Sequence, residues 1–553
     1  ESSVCLFKNN RLIYAVSEER LNRKKNWYGI PKLSIKKTLN DNNLKLKDIK
    51  YVATHGLSAL KKDTPNILSY NKKIKFIQKS RLNIKLKKYL ISKLLKRRAH
   101  EKKVIEVRTK NILSRLKKIF KSIEVFDHHE SHAASAFYFS NFKNAYTLTI
   151  DGWGDNASSK LFRTVNGKLI EIKRTETINS LGYFYGSFTK LLGFTPHKHE
   201  GKVLGLAAYA SPKKAIKDID LVFGYNKKSK NFEGLTHKGF YLPTFNNPLL
   251  KIFRKKYTRE EIASAIQKKL EDVVIRYIDD ISKKKFNLAL AGGIFANVKL
   301  NQKILIYKKI KNIFIFPNMG DGGLCVGAAV LCLRKNQNFK KFVTKDMYLG
   351  PKYNEVNLKR FIKKYKVTEI KTNNFYRFIA QNLNRKKIFS LFQGRMEFGP
   401  RALCNRSIIC SAEDARINKS LNKKLQRTEF MPFAPIVLKS DFSKYFKKLE
   451  NKHVNSKYMT LTLDCKKELL KIAPAIVHID KTARPQIIEK KSNTRIYKIL
   501  NEYKKITGFG VLINTSFNMH EEPIVCSVED AFRAFVSSKI DYLIVGNRIF
   551  KNN

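Results

Sequence analysis

Phe286-Asn287-Leu288-Ala289-Leu290-Ala291-Gly292-Gly293-Ile294-Phe295-Ala296-Asn297 is a short apolar run delivered straight into a glycine turn. Apolar residues in succession, closed by glycines, predict a strand buried on both faces. The pattern recurs at once. Ile313-Phe314-Ile315-Phe316 runs through Pro317-Asn318-Met319 into Gly320-Asp321-Gly322-Gly323, and an apolar helix opens at Leu324. A strand that leads through a glycine turn into a helix aims backbone N–H groups at phosphate. Two such units predict an α/β fold with a nucleotide or phosphate cleft.

Working outward, Asn144 to Ile150 reads as a third buried strand, ending at Asp151-Gly152-Trp153-Gly154-Asp155. Just before it stands Phe126-Asp127-His128-His129-Glu130-Ser131-His132-Ala133-Ala134-Ser135-Ala136-Phe137. His128 and His132 are four apart, so a helix stacks both imidazoles on one face, within reach of a single ion. The plainer alternative is a helix with two satisfied histidines and a turn aspartate. Two glycine turns downstream of Asp151 favour a site.

The chain has 553 residues, 43% of them hydrophobic, enough for several globular domains. No run of 18 apolar residues predicts a transmembrane helix, and no secretory signal is read. Seven scattered cysteines read as free thiols of a reducing cytoplasm. The charge is the unusual feature: 111 Lys+Arg against 45 Asp+Glu, net +66. Such a field attracts nucleic acid, anionic lipid or anionic glycan, unless lysine and asparagine drift accounts for it.

Val4 to Val16 predicts a hairpin about Asn9-Asn10. The charged cluster Glu18 to Lys25 either holds phosphates or forms a solvated face. Residues 61–120 form a basic insertion with helical periodicity, fit for a membrane surface, a polyanion or its own domain. A second hairpin spans 161–174, residues 215–260 read as loop-rich, and 259–285 as a long amphipathic helix. Near Tyr348-Leu349-Gly350-Pro351 the pattern changes, which predicts domains of 1–345 and 346–553. The second carries Gly394-Arg395-Met396-Glu397-Phe398-Gly399-Pro400-Arg401-Ala402-Leu403-Cys404-Asn405-Arg406, then Arg427, Thr482-Ala483-Arg484-Pro485-Gln486 and Asn514-Thr515-Ser516. Motifs built on arginine in a lysine-rich chain predict forked contacts to phosphate or carboxylate.

In this order, these motifs resemble the O-carbamoyltransferase family of nodulation-factor and antibiotic carbamoyltransferases, over almost the whole chain. The resemblance implies an N-terminal actin-like domain, a duplicated nucleotide-binding fold similar to the tRNA threonylcarbamoyltransferase subunit. It implies a C-terminal α/β domain similar to threonylcarbamoyl-adenylate synthase. The implied reaction joins carbamoyl phosphate and ATP, with Mg2+, into carbamoyl-adenylate. The carbamoyl group then passes to a hydroxyl of a sugar-containing or natural-product acceptor with help from an iron(II)-type metal. Carried over by position, His128, His132, Asp151 and Asp321 are the metal ligands. His129 either assists the acceptor hydroxyl as base or is structural. Gly292, Gly293, Asn297, Gly320, Gly322, Gly323 and Lys202 hold the adenylate. Arg427, Arg484, Thr515 and Ser516, lined by Arg395, Arg401, Arg406 and Asn514, take carbamoyl phosphate and ATP. Departures from the family pattern include Glu1 where an aspartate is usual, Met431 and Gln426 near the Pro-Phe-Ala-Pro run, and Cys404 and Ala210 in place of glycines. The alternative readings are a threonylcarbamoyl-type tRNA-modifying transferase and a non-catalytic polyanion-binding protein.

Overall fold

A computed structural model describes residues 1–56, 74–75, 77–80, 82–120, 122–235, 245, 247–337, 339, 341, 346–353, 357–427, 430–447 and 453–552, excepting the side chains of 97, 98 and 100–113. The chain is mixed α/β and divides into two compact units, 44–296 with 303–343, and 1–43 with 297–302 and 344–553. Among the described residues no helix is long and apolar enough to cross a membrane.

The first unit is built on a five-stranded sheet ordered Ile310–Ile315, Phe286–Ala291, Tyr146–Gly154, Ala157–Val165, Lys168–Thr175. Its first three strands are parallel and the last two turn back as a hairpin. The hairpin turns at Asn166-Gly167, both with positive φ, as a tight two-residue loop requires. Phe286–Ala291 is central and almost wholly buried, which explains its unbroken apolar run. Helix His128–Phe139 covers this sheet, and Ala133, Ala134 and Ala136 in it are fully buried, small enough to let it lie close. Helix Arg259–Asp279 opens on a capping box, in which Thr258 accepts from the Glu261 N–H and Glu261 reaches back to Thr258. The stretch expected to be loop-rich contains a small hairpin, Phe223–Asn226 with Asn231–Gly234. Of the basic insertion, residues 57–73, 76 and 81 lie outside the described residues. Ile84–Ile119 is one helix, started by the Asn83 side chain accepting from Leu86 N.

The second unit carries an eight-stranded mixed sheet ordered Val367–Ile370, Arg548–Asn552, Tyr542–Val545, Phe389–Phe392, Arg406–Cys410, Val511–Ser516, Ala434–Leu438, Gln486–Ile488. Helices Phe375–Asn384 and Thr494–Thr507 pack on it, with Leu383, Phe389, Ile436, Leu500 and Leu512 in their shared core. The opening hairpin, Ser3–Lys8 with Arg11–Ser17, turns on Asn9 and Asn10 as expected.

The compact units do not follow the expected boundary of 1–345 and 346–553 at the start of the chain: residues 1–43 pack in the unit of 344–553. Ala15 N–H donates to the Leu349 carbonyl at 3.0 Å. The cluster Glu18 to Lys25 is neither a phosphate clamp nor a solvated face. Glu18, Glu19 and Arg20 are buried. Glu18 accepts from Leu33 and Ser34 N–H at the start of helix Lys32–Asp41. Arg20 donates to the Gly399 carbonyl, and Arg23 to those of Pro523 and Ile524.

Candidate metal centre

The first turn of helix His128–Phe139 is held by two carboxylates. Asp127 Oδ1 accepts from Glu130 N–H at 2.9 Å, and Asp155 Oδ2 from His128 N–H at 2.7 Å. Both satisfy N-terminal donors and sit where the helix dipole favours negative charge. The other oxygen of Asp127 pairs with the buried Lys160 ammonium at 2.9 Å. With its start fixed, the helix presents His128 and His132 on one face, ring centroids 4.8 Å apart.

Asp151 comes from strand Tyr146–Gly154, and Asp321 opens the turn before helix Leu324–Asn336. Their oxygens converge on the two imidazoles. His132 Nε2 lies 3.1 Å from Asp151 Oδ2 and 3.5 Å from Asp321 Oδ1; His128 Nε2 lies 3.6 and 3.7 Å from the same atoms. All four ligand atoms fall within 4.8 Å of one another. Donors held about 2.1 Å from one ion stand roughly 3–3.5 Å apart, so the set fits a transition metal. His128 Nε2 is buried without a hydrogen-bond partner, as an atom reserved for an ion would be. Gly154 makes room for this ring: a Cβ there would sit 2.2 Å from His128 Cδ2.

Burial works to lower the His132 imidazole, but its hydrogen bonds to Asp151 and Asp321 outweigh it and hold it at about 9. An ion entering below that pH must therefore displace a proton. Metal affinity is expected to climb from pH 6 toward 9, with proton release on binding. Calorimetric titration of Fe2+ in two buffers of different ionisation enthalpy checks this, and equal heats in both would contradict it.

Of the two readings of His129, base or structural, its surroundings favour the structural one. Its Nε2 lies 3.1 Å from the Ala157 carbonyl, which can only accept, so this nitrogen carries the proton. Nδ1 then accepts from the Thr149 hydroxyl at 2.9 Å. The ring is fully buried, and burial followed by its neighbour imidazoles holds it well below the ordinary histidine range. His129 is a buried strut between helix and sheet, both ring nitrogens within hydrogen-bond distance of protein groups.

The two glycine turns close around Asp151. Gly292 has φ +104°, and a Cβ there would lie 2.3 Å from the Ile150 carbonyl oxygen. Its N–H donates to Met319 O at 2.7 Å, joining the two turns directly. At Gly293 the Cβ position is 3.1 Å from Asp151 Oδ1. Gly320, Gly322 and Gly323 form the second turn, with Gly323 N–H donating to Gly320 O. Asn297 instead caps the following helix, accepting from Leu300 N–H, and groups with the other unit. Lys202 is buried in helix Glu200–Leu206.

In the unit of 344–553, Arg427 clamps the end of strand Val511–Ser516. It donates to Thr515 Oγ1 (3.1 Å), Ser516 O (2.8 Å), Ser516 Oγ (3.3 Å) and Asn518 O (2.7 Å). Arg484 stands between Thr482–Ala483 and Gln486–Ile488, and Gln486 accepts from Asn514 Nδ2 at 2.9 Å. Arg401 is half-buried. Two arginines expected to line the phosphate site do other work. Arg406 is fully buried, its guanidinium 3.8 Å from the Phe392 ring centre, and donates to Gln393 and Asn405 carbonyls. Arg395 donates to the carbonyls of Gly350, Ile13 and Leu349.

Sequence reasoning passed over Glu397. Its buried Oε1 accepts from Leu403 (2.7 Å), Asn405 (2.7 Å) and Arg406 (3.1 Å) N–H groups and so closes the 394–406 motif on itself. Cys404, in place of the usual glycine, adopts φ +81°, a conformation costly for a side chain.

Two family models cover most of the chain: Carbamoyltransferase N-terminus over residues 1–330 and Carbamoyltransferase C-terminus over 380–552. An uncharacterized protein of Methanocaldococcus jannaschii is 35% identical over 463 residues, 79% of this chain and 75% of its own. Nodulation protein NolNO of Sinorhizobium fredii is 31% identical over 575 residues, covering 100% and 79%. Among solved structures, full-length HypF in its phosphate- and nucleotide-bound form overlaps 31% of this chain and 21% of its own, with TM-score 0.24 and 19% identity.

Proposed function

Because the chain belongs to the carbamoyltransferase family, we propose that it is an ATP-dependent O-carbamoyltransferase with a sugar-containing acceptor. The observation that carries this reading is the convergence of His128, His132, Asp151 and Asp321 beside the two glycine turns. Phosphate-facing turns and a transition-metal donor set at the same strand ends suit transfer of a group from a nucleotide to a hydroxyl. Strands that each feed a glycine turn also support an actin-like descent for this unit, and the arginine-clamped sheet of the other suits an adenylate-forming one.

In the proposed sequence, carbamoyl phosphate, water and ATP yield carbamoyl-adenylate with release of phosphate and pyrophosphate. Arg427 shapes the Thr515–Ser516 strand end for the substrate phosphates, and Arg484 supplies a second guanidinium to them. In the transfer, the acceptor oxygen forms a bond to the carbamoyl carbon, AMP leaves with the electrons of the broken bond, and the hydroxyl proton passes to the departing AMP phosphate or to solvent. The Gly292 and Gly323 N–H groups already bond to the Met319 and Gly320 carbonyls, so the N–H groups of Gly293 and Gly322 are the ones that would hold the adenylate phosphate. An iron(II)-type ion held by the four ligands would polarise the carbamoyl carbonyl. The basic helix Ile84–Ile119, with exposed Lys85, Lys88, Lys93 and Lys96, suits an anionic acceptor.

Pyrophosphate release should depend on carbamoyl phosphate as well as ATP, with no acceptor present. Arg484→Ala is expected to slow it by roughly a hundredfold, the worth of a forked contact to phosphate. Undiminished carbamoyl-phosphate-dependent release in that variant would remove Arg484 from the site.

A further inference from the structure

Beside the metal ligands lies a cluster of rings that the chemistry above does not use. Ser180 Oγ donates to the Gly152 carbonyl at 2.6 Å and caps helix Leu181–Leu191 by accepting from Tyr183 N–H. The start of that helix presses on Asp151: a Cβ on Gly182 would lie 2.7 Å from the Asp151 carbonyl oxygen. Tyr183 follows Gly182 in this first turn. Its ring centre is 5.0 Å from that of Phe245, and Phe245 is 5.2 Å from His197, edge to face. A Cβ on Gly152 would in turn come within 4.0 Å of His197 Cε1, so the cluster closes back on the Asp151–Gly152 peptide. Trp153, 37% exposed, follows directly. His197 is held by its own N–H, which donates to Glu200 Oε1 at 2.6 Å. Phe245 occupies a notch that Gly186 leaves open, since a Cβ there would meet its ring at 2.7 Å.

We infer that Trp153, Tyr183, His197 and Phe245 form the acceptor subsite and bind the apolar face of a sugar ring next to the metal. The inference rests on the carbamoyl-transfer reading above. A pyranose presents a C–H face and a rim of hydroxyls. The side chains that match it carry a flat apolar body with a polar tip, as Tyr, Trp and His do. Two of the four, Trp153 and His197, are exposed, and the other two are half-buried, as a platform open to an incoming ligand requires. An adenine base would also stack on rings, and the AMP titration below distinguishes the two. The glycine turns follow strands Phe286–Ala291 and Ile310–Ile315 on one side of Tyr146–Gly154. The rings come from the end of Tyr146–Gly154 itself and from segments after the hairpin on its other side. Helix Leu181–Leu191, which carries Tyr183, packs on strand Tyr146–Gly154 and on the Gly293–Ala296 turn, so the rings and the first glycine turn are neighbours at Asp151.

The chain has two tryptophans, Trp27 and Trp153, so full-length Trp27→Phe protein reports on Trp153 alone. Its emission is to be titrated with methyl glucoside, the 2-acetamido analogue, methyl glucuronide and AMP. A saturable change with at least one glycoside and none with AMP is expected. Tyr183→Ala and Gly186→Ala should each weaken that glycoside by roughly tenfold. Acceptor-independent pyrophosphate release should stay as in wild type. A response to AMP alone, no response to any glycoside up to about 50 mM, or variants that bind as wild type would each overturn the inference. Absence of carbamoyl-phosphate-dependent pyrophosphate release from wild-type protein would instead strike the carbamoyl-transfer reading, independently of the sugar titration.

Discussion

His132→Ala is expected to keep carbamoyl-phosphate-dependent pyrophosphate release and to lose acceptor carbamoylation by a factor of about a thousand or more. His132 contributes one of four donors, and its Nε2 makes the shortest approach to a carboxylate of the set, 3.1 Å to Asp151. Removing it leaves the two carboxylates of Asp151 and Asp321 with only one imidazole between them, where their like charges repel. Loss of several kcal/mol of metal stabilisation converts to at least that rate factor. The two assays run on one preparation, with metal content measured alongside. Failure of both half-reactions in a folded protein would contradict the division of labour. Full metal occupancy would reject the ligand set.

The second large effect is on stability. Glu397→Ala should destabilise the unit of 344–553 by about 3–5 kcal/mol. Three buried N–H groups lose their acceptor, and the fully buried Arg406 loses a nearby counter-charge. Glu397→Gln, which keeps an acceptor oxygen in place, should cost markedly less. Denaturant midpoints of the two variants decide it. Equal, small shifts would mean that the 394–406 motif is held by something other than this carboxylate.

The parts of this architecture that were legible in the sequence are those set by local pattern. Buried strands at 286–291 and 310–315 follow from apolar runs, and both hairpins from Asn-Asn and Asn-Gly turns with positive φ. His128 and His132 meet because a helix has a fixed period. Asp321 is different: nothing local ties it to a histidine pair some 190 residues earlier, and only family resemblance pointed to it. The role of His129 depends on Thr149 and Ala157, partners that exist only once strand and helix are packed. Arg395 and Arg406 of the 394–406 motif invite a phosphate reading by residue type. Their acceptors are main-chain carbonyls, which every residue possesses and no sequence marks. The same blindness hid the partner of the opening hairpin, whose bonds run to Leu349, Gly399 and Ile524.

That last arrangement has a consequence for how the protein is born. Arg23 and Ile524, joined at 2.8 Å, are 501 positions apart. At roughly 5–20 residues per second, a ribosome needs about 25–100 s to supply the second after the first. Through that interval the hairpin has left the exit tunnel while its companions do not yet exist. The strand edges of Ser3–Lys8 and Arg11–Ser17 must then be kept from straying by translation-coupled chaperones or by their own lysines and arginines, and the contact with Arg23 can close only once Ile524 has been made.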